Sequence, residues 1–133
     1  MKRTLIRMLA VVLACVSLTA CGTKTIESIM SSKAAQTQLD AAKEQIMSQF
    51  SDYYSDYDIE FSGNDIIYKY YYSSSFDKDT LELVTKSLES DSSWSSTISS
   101  TKDEMAKSTG ITPDSVTFAY YDSEGNELFK ITE

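Results

Sequence analysis

The sequence predicts an α+β domain in which helix, β-hairpin, helix and β-hairpin follow one another along the chain. Two segments carry apolar residues at helical spacing, from Ala34 to Phe50 and from Asp77 to about Ser108. Two pairs of aromatic and β-branched segments flank the turn-forming sequences "SGND" and "DSEGN". Segregated helices and hairpins of this kind favour a four-stranded, mostly antiparallel sheet with two helices on one face.

The first predicted helix is amphipathic and ends near Phe50. Asp40 and Lys43 lie on its polar side, opposite apolar positions that recur every three or four residues. Thr25 and Ser32 lie upstream, and both are residue types that cap the N-termini of helices. The apolar positions that we expect to pack on the sheet are Leu39, Ala42, Ile46 and Phe50.

The first hairpin follows directly. Residues 57–61, "YDIEF", alternate apolar and acidic side chains, which is the pattern of a strand with one buried face. Residues 62–65, "SGND", contain glycine and asparagine, which tolerate the backbone angles of a tight turn. Residues 66–72, "IIYKYYY", are β-branched and aromatic and predict a strand packed on both faces.

The second helix is predicted to begin at Asp77, a good N-cap, and to run as one long helix to about Ser108. Residues 89–102 are rich in serine, so a linker in this stretch is the alternative. Gly110 is a helix stop. The residues predicted to line the helix faces that pack on the sheet are Leu39, Ile46, Phe50, Leu81, Val84, Leu88 and Ile98.

The closing hairpin is predicted from "SVTFAYY", residues 115–121, and "ELFKIT", residues 127–132. Val116, Phe118 and Tyr120 share one face of the first of these strands, because side chains alternate along a strand. The connection contains Gly125, which supplies a left-handed backbone position.

The N-terminal region predicts export and a lipid anchor. Residues 1–8 are basic, residues 9–17 are apolar but too short to span a bilayer, and Leu-Thr-Ala precedes Cys21. This order resembles the bacterial lipobox, which implies acylation of the Cys21 thiol and cleavage before it. Two acyl chains would hold the protein stably on the membrane. A plain signal peptide cut near Ala20, leaving a free thiol, is the alternative.

These signals divide the chain into a lipoprotein signal peptide, residues 1–20, an acylated cysteine with a short tether, residues 21–33, and a single domain, residues 34–133. After Cys21 nine basic side chains face twenty acidic ones, a formal charge of −11. Such a domain repels phosphate backbones, so we expect no nucleic-acid partner. Cys15 leaves with the signal, so no disulfide is expected.

The mature chain resembles small lipoproteins of Gram-positive bacteria that are catalogued as a domain of unknown function. The resemblance rests on the lipobox with its "CG" start, on "GNDIIYKYYY", on the Ser-rich helix with its "TGI" stop, and on "VTFAYYDSEGNELFKI". It implies no assigned activity and no catalytic residues for this chain.

Catalytic chemistry is poorly supported. The chain has no histidine, the commonest general base and metal ligand at neutral pH. Ser99 and Lys102 have the spacing of a serine–lysine nucleophile, but chance explains it. Asp56, Asp58 and Glu60 could act as the acid and base carboxylates that cleave a glycosidic bond. Their alternation with apolar residues instead predicts that they lie on the solvent-exposed face of a strand. We therefore expect no enzyme and no cofactor.

A metal site is also not expected. The sequence "DSEGNE", Asp122 to Glu127, has the oxygen-rich composition of a calcium loop. The spacing of such a loop fails, because Gly125 comes two positions early. A hairpin turn explains the same residues.

Nine tyrosines are the unusual feature of the composition. If the helices cover only one face of the sheet, the other face exposes Tyr71 and Tyr121 together with Ile67 and Ala119. Exposed aromatic patches often mark binding sites. Alternatively, tyrosine is simply a good strand residue whose hydroxyl reaches water.

The sequence therefore predicts a non-enzymatic lipoprotein, anchored by Cys21 to the extracytoplasmic face of the cell membrane. Its sheet face or a sheet edge would bind an envelope protein, a peptide or a glycan. A structural accessory subunit of an envelope complex is the second hypothesis. A small-ligand or calcium-binding protein is the third. A flat tyrosine-lined surface favours the first hypothesis, and a deep polar pocket the third.

Overall fold

Four helices and four strands follow one another in residues 24–133, the part of the chain that the computed structural model describes. The predicted signal peptide and Cys21 lie outside these residues. Within the described range no helix has the length and apolar character needed to cross a bilayer. The elements are α1 (Ile26–Met30), α2 (Lys33–Phe50), β1 (Tyr54–Ser62), β2 (Asp65–Tyr72), α3 (Lys78–Glu89), α4 (Trp94–Thr109), β3 (Ser115–Tyr121) and β4 (Glu127–Thr132).

The four strands form one mixed sheet in the order β1-β2-β3-β4. The α+β class, the four strands and the two hairpins are confirmed, because β1 pairs with β2 and β3 with β4 in antiparallel fashion. The central pair, β2 and β3, is parallel, with Asp65 beside Ser115 and Tyr71 beside Tyr121. The predicted mostly antiparallel sheet is wrong at this pair. The long connection through α3 and α4 returns the chain to the end of the sheet where β2 begins, as parallel pairing requires.

The predicted long helix from Asp77 to about Ser108 is two helices. Asp77 caps α3 through a hydrogen bond that its carboxylate accepts from Thr80 N–H, and Gly110 ends α4 with φ 77°, as predicted. Between them, the Asp91 carboxylate accepts hydrogen bonds from the N–H and the hydroxyl of Ser93. A side chain that takes up backbone donors competes with the helical hydrogen-bond ladder, so the serine-rich stretch breaks the helix.

A short helix, α1, occupies the segment that the sequence assigned to the tether, residues 21–33. Thr25 caps it, with its hydroxyl accepting from Ser28 N–H at 3.1 Å. Ile26 is fully buried, and Ile29 and Met30 are buried with it. α1 therefore belongs to the folded domain, and the predicted boundary at residue 34 is too late. Five residues are too few to display a helical period in the sequence.

The helices cover one face of the sheet and form a single core with it. α1 and α2 contact β1, α4 contacts β3 and α3 contacts β4. Among the predicted core residues Ile46, Leu88 and Ile98 are buried, whereas the other four are partly buried at its margin: Leu39, Phe50, Leu81 and Val84.

Tyrosines supply much of the sheet's contribution to this core. Tyr68 stacks on Phe118 with ring centroids 4.9 Å apart, and Tyr70 stacks on Tyr120 at 4.7 Å. Each pair lies directly across the parallel β2–β3 ladder. Because side chains alternate along a strand, the residues between these tyrosines lie on the opposite face.

Candidate binding face

The opposite face of the sheet carries the candidate site. We call open face the surface formed by alternate residues of β2 and β3: Ile67, Lys69, Tyr71, Thr117, Ala119 and Tyr121. The buried helix residues in the described part of the chain belong to the core on the other side. The four residues predicted from the sequence, Ile67, Tyr71, Ala119 and Tyr121, thus share this one face.

Tyr71 and Tyr121 form a stacked pair on the open face. Their ring centroids lie 4.9 Å apart, with 18° between the ring planes. Both side chains are partly exposed, and each ring covers one face of the other. Partial burial raises the pKa of Tyr121, although the nearby Lys69 ammonium acts in the opposite direction. The Tyr121 hydroxyl is therefore protonated at neutral pH and can donate a hydrogen bond.

Ala119 forms the floor of the open face beside this pair. It lies directly between Lys69 of β2 and Lys130 of β4 in the ladder, and its side chain has no exposed area. The sequence predicts Ala119 on this face as part of the contact surface. Because Ala119 has no exposed area, it offers no contact surface to a partner.

The two lysines on either side of Ala119 are functional candidates that the sequence analysis missed. Lys69 donates to Glu60 at 2.7 Å, and this hydrogen bond raises the pKa of Lys69 and keeps the ammonium charged. Lys130 is exposed and forms no ion pair with any described residue. Alternation with Ile67 and Tyr71 could have placed Lys69 on this face. Lys130 could not be placed without the register of β4.

Each of the three carboxylates of β1 forms an ion pair or a hydrogen bond with another residue. Asp56 pairs with Lys43 at 3.1 Å, Asp58 accepts a hydrogen bond from Ile59 N–H, and Glu60 pairs with Lys69. Burial raises the pKa of Asp56, but the Tyr57 N–H and the Lys43 ammonium outweigh it, so the pKa lies below its usual range. These contacts account for the three carboxylates as polar side chains of β1, the edge strand of the sheet.

The loop considered for calcium is a hydrogen-bonded turn. The Asp122 carboxylate accepts bonds from the backbone N–H groups of Glu124 and Asn126 and from the Asn126 side chain. The bonds from Asn126 contribute most to holding the pKa of Asp122 below its usual range. Gly125 has φ 86°, as the turn requires. No group of three or more potential ligands, His, Cys, Asp or Glu, is gathered within residues 24–133.

Two clefts lie away from the open face. A small one, about 80 Å³, lies between α2 and β1 beside Leu39 and Tyr57. A wider groove, about 640 Å³, separates α3 from the β3–β4 turn, with Leu81 and Leu128 among its lining residues. No hydrogen bond joins the side chains of Ser99 and Lys102, which lie on α4, so the described part of the chain offers no assembled nucleophile there.

Comparison with protein families identifies the family to which the chain is similar. The model of a family described as a domain of unknown function (DUF4854) matches residues 26–132. The chain belongs to this family. The DUF4854 match begins at the first residue of α1, which agrees with the early start of the folded domain. The predicted resemblance to a domain of unknown function is confirmed. Searches of curated proteins and of solved structures found no match.

Proposed function

We propose that this DUF4854 domain is a non-enzymatic binding module of the cell envelope. Lipid on Cys21 holds it on the extracytoplasmic face of the membrane, and its open face binds a protein or peptide partner. The observation that supports this proposal best is the partly exposed stacked pair of Tyr71 and Tyr121 beside the charged Lys69.

The tyrosine pair suits recognition because it is rigid. Each ring restrains the other, so a partner gains contact area with little further loss of side-chain entropy. Tyrosine is also enriched in protein interfaces, where the ring packs and the hydroxyl forms hydrogen bonds.

The charges of the open face favour a partner that carries a carboxylate. Lys69 and Lys130 lie two strand spacings apart, about 10 Å, on either side of Ala119. An acidic side chain or a C-terminal carboxylate of the partner can pair with Lys130 on this face. Lys130 has no described ion pair to give up, whereas the Lys69 ammonium is already paired with Glu60, so Lys130 is the cation that we propose for this contact.

A double variant tests whether the open face binds the partner. Tyr71→Ser with Tyr121→Ser should abolish capture of the partner from cross-linked intact cells and leave the domain folded, with a modest fall in melting temperature from the lost ring stacking, worth about 0.5–1.5 kcal/mol. Tyr53→Ser is the matched control, because Tyr53 is 47% exposed and lies outside the open face. Full capture by the folded double variant contradicts the proposal, and so does a large loss of stability, which would place the pair in the core.

A charge reversal tests the role of Lys130 in binding the partner. Lys130→Glu should weaken capture severalfold, whereas Lys107→Glu, which changes the same charge on exposed α4, should leave it unchanged. Equal losses for the two variants would indicate a general effect of net charge. A partner that copurifies in fixed ratio without cross-linking would instead support a structural subunit of an envelope complex.

The anchor is tested at Cys21. Cys21→Ser should abolish lipid labelling and release the protein from the membrane fraction, because the acylated thiol is lost. Mass spectrometry of the mature amino terminus checks the same point directly. A mature chain that starts with an unmodified cysteine, or that starts elsewhere, contradicts the lipid anchor without affecting the argument for the open face.

A further inference from the structure

α1 is fixed to the turn between β1 and β2. The Ile26 N–H donates to the side-chain oxygen of Asn64 at 3.0 Å. Glu27 N–H donates to Gly63 O at 2.9 Å, and Gly63 N–H donates back to the Glu27 carboxylate at 2.7 Å. With Ile26 fully buried, these bonds attach the first turn of the folded chain to one end of the sheet.

The segment before α1 is short. Only Gly22, Thr23 and Lys24 separate Cys21 from Thr25, the N-cap of α1. Four residue steps span at most about 14 Å even when fully extended. The backbone of Cys21 therefore cannot lie farther than this from Thr25, the N-cap of the helix that is bonded to the β1–β2 turn.

The tyrosine pair lies at the other end of the sheet. β2 starts at Asp65, next to the turn, and β3 runs parallel to it from Ser115. Tyr71 lies six residues after Asp65 and pairs with Tyr121, so both are about 20 Å along the strands from the turn. The anchored end and the candidate binding end are thus opposite ends of one sheet.

We infer that the domain stands on the membrane with the β1–β2 turn facing the lipid headgroups and with the tyrosine pair directed away from them. The inference rests on the lipid at Cys21. The tether, and not attraction between the domain and the bilayer, sets the orientation, because this end of the sheet carries Glu27, Asp65 and Asp114, which anionic headgroups repel. Without the lipid the domain does not bind the bilayer.

Single introduced cysteines test this orientation. Acylated Cys21 is the only cysteine after residue 20, so Ser62→Cys and Ser123→Cys each provide one thiol for a fluorophore. Ser62 ends β1 at the turn, and Ser123 is exposed in the β3–β4 turn at the opposite end. The labelled lipoproteins, purified from membranes, are reconstituted into phosphatidylcholine vesicles that contain headgroup spin-labelled lipid.

The label at position 62 should be quenched severalfold more than the label at position 123. Inserting twelve Gly and Ser residues between Thr23 and Lys24 should remove most of this difference without changing the melting temperature. Equal quenching of the two labels in the uninserted protein overturns the inference, as does stronger quenching at position 123. Mass spectrometry that finds Cys21 unacylated overturns it too, and separates failure of the anchor from failure of the orientation.

Discussion

The indole Nε1 of Trp94 donates a hydrogen bond to the carbonyl oxygen of Leu88 at 2.8 Å. The first residue of α4 thereby satisfies a backbone acceptor in the last turn of α3. Both residues are buried, so the bond is shielded from water. This contact holds the two helices together where the sequence analysis predicted one continuous helix.

Trp94→Phe should lower the free energy of unfolding by about 1 kcal/mol, because the buried indole hydrogen bond is lost while the Asp91 N–H still donates to the Leu88 carbonyl oxygen. Urea denaturation of the two proteins measures the difference. Leu83→Ala, on α3, is the control, since Leu83 is 68% exposed and its truncation should cost less than about 0.5 kcal/mol. Equal effects of the two substitutions would show that the indole bond contributes nothing.

Core truncations should differ according to position. Leu88→Ala removes a buried side chain, 3% exposed, and should cost about 2–5 kcal/mol. Phe50→Ala should cost less, because Phe50 lies at the margin of the core and is only partly buried. The two variants are compared by their denaturation midpoints, which report stability when the m-values are the same. A larger loss at Phe50 would mean that α2, and not α3, carries the principal contacts.

The hydroxyl of Tyr68 is buried and has no hydrogen-bond partner among residues 24–133, as is also true of Tyr57 and Tyr70. Tyr68→Phe keeps the ring stacked on Phe118 and removes a polar group that gains nothing from burial, so stability should be unchanged or higher. Tyr54→Phe is the contrasting variant, because its hydroxyl has a polar interaction with the Tyr72 side chain and is not among the unpartnered buried hydroxyls. Its loss should cost about 1 kcal/mol. Thermal unfolding that ranks the two variants in the opposite order contradicts the assignment.

Alkaline pH should unfold the domain cooperatively. Burial raises the pKa of Tyr54 to about 12, and it raises the pKa of Tyr68 further above the usual value of 10.0. These pKa values are higher in the folded state than in the unfolded state. The contribution of the neutral tyrosines to stability is therefore complete at pH values below the unfolded-state pKa, and it falls as the pH rises above 10. Ultraviolet titration should therefore show buried tyrosinate appearing together with the loss of circular dichroism. Ionisation of these tyrosines in a folded domain would contradict the burial. The remaining buried tyrosines with raised pKa are Tyr57, Tyr70, Tyr72 and Tyr120.

Local signals in the sequence predict the local elements well. The alternation in residues 57–61, the cap at Asp77 and the stop at Gly110 each act through neighbouring backbone, so they can be recognised without the rest of the fold. The shared face of Tyr71 and Ile67 follows from the two-residue period of a strand in the same way.

Relations between distant segments could not be predicted in this way. The parallel pairing of Asp65 with Ser115 depends on the path of the chain through α3 and α4, which no local pattern records. The place of Lys130 beside Ala119 depends on the register of β4. The break at Asp91 depends on a side-chain hydrogen bond that competes with helix formation, and spacing alone does not reveal it.

The parallel junction between β2 and β3 also sets the order in which the domain can fold. Tyr68 and Tyr70 can stack only on Phe118 and Tyr120, which lie in β3, much later in the sequence. A two-stranded ribbon alone is at best marginally stable in water, so the β1–β2 hairpin is not secured by its own contacts. Pairing across so long a loop makes folding slow relative to a helical bundle of the same size. A chain that stops before Ser115 therefore exposes aromatic β2 as an unpaired edge, and aggregation rather than partial function is the expected fate of such fragments.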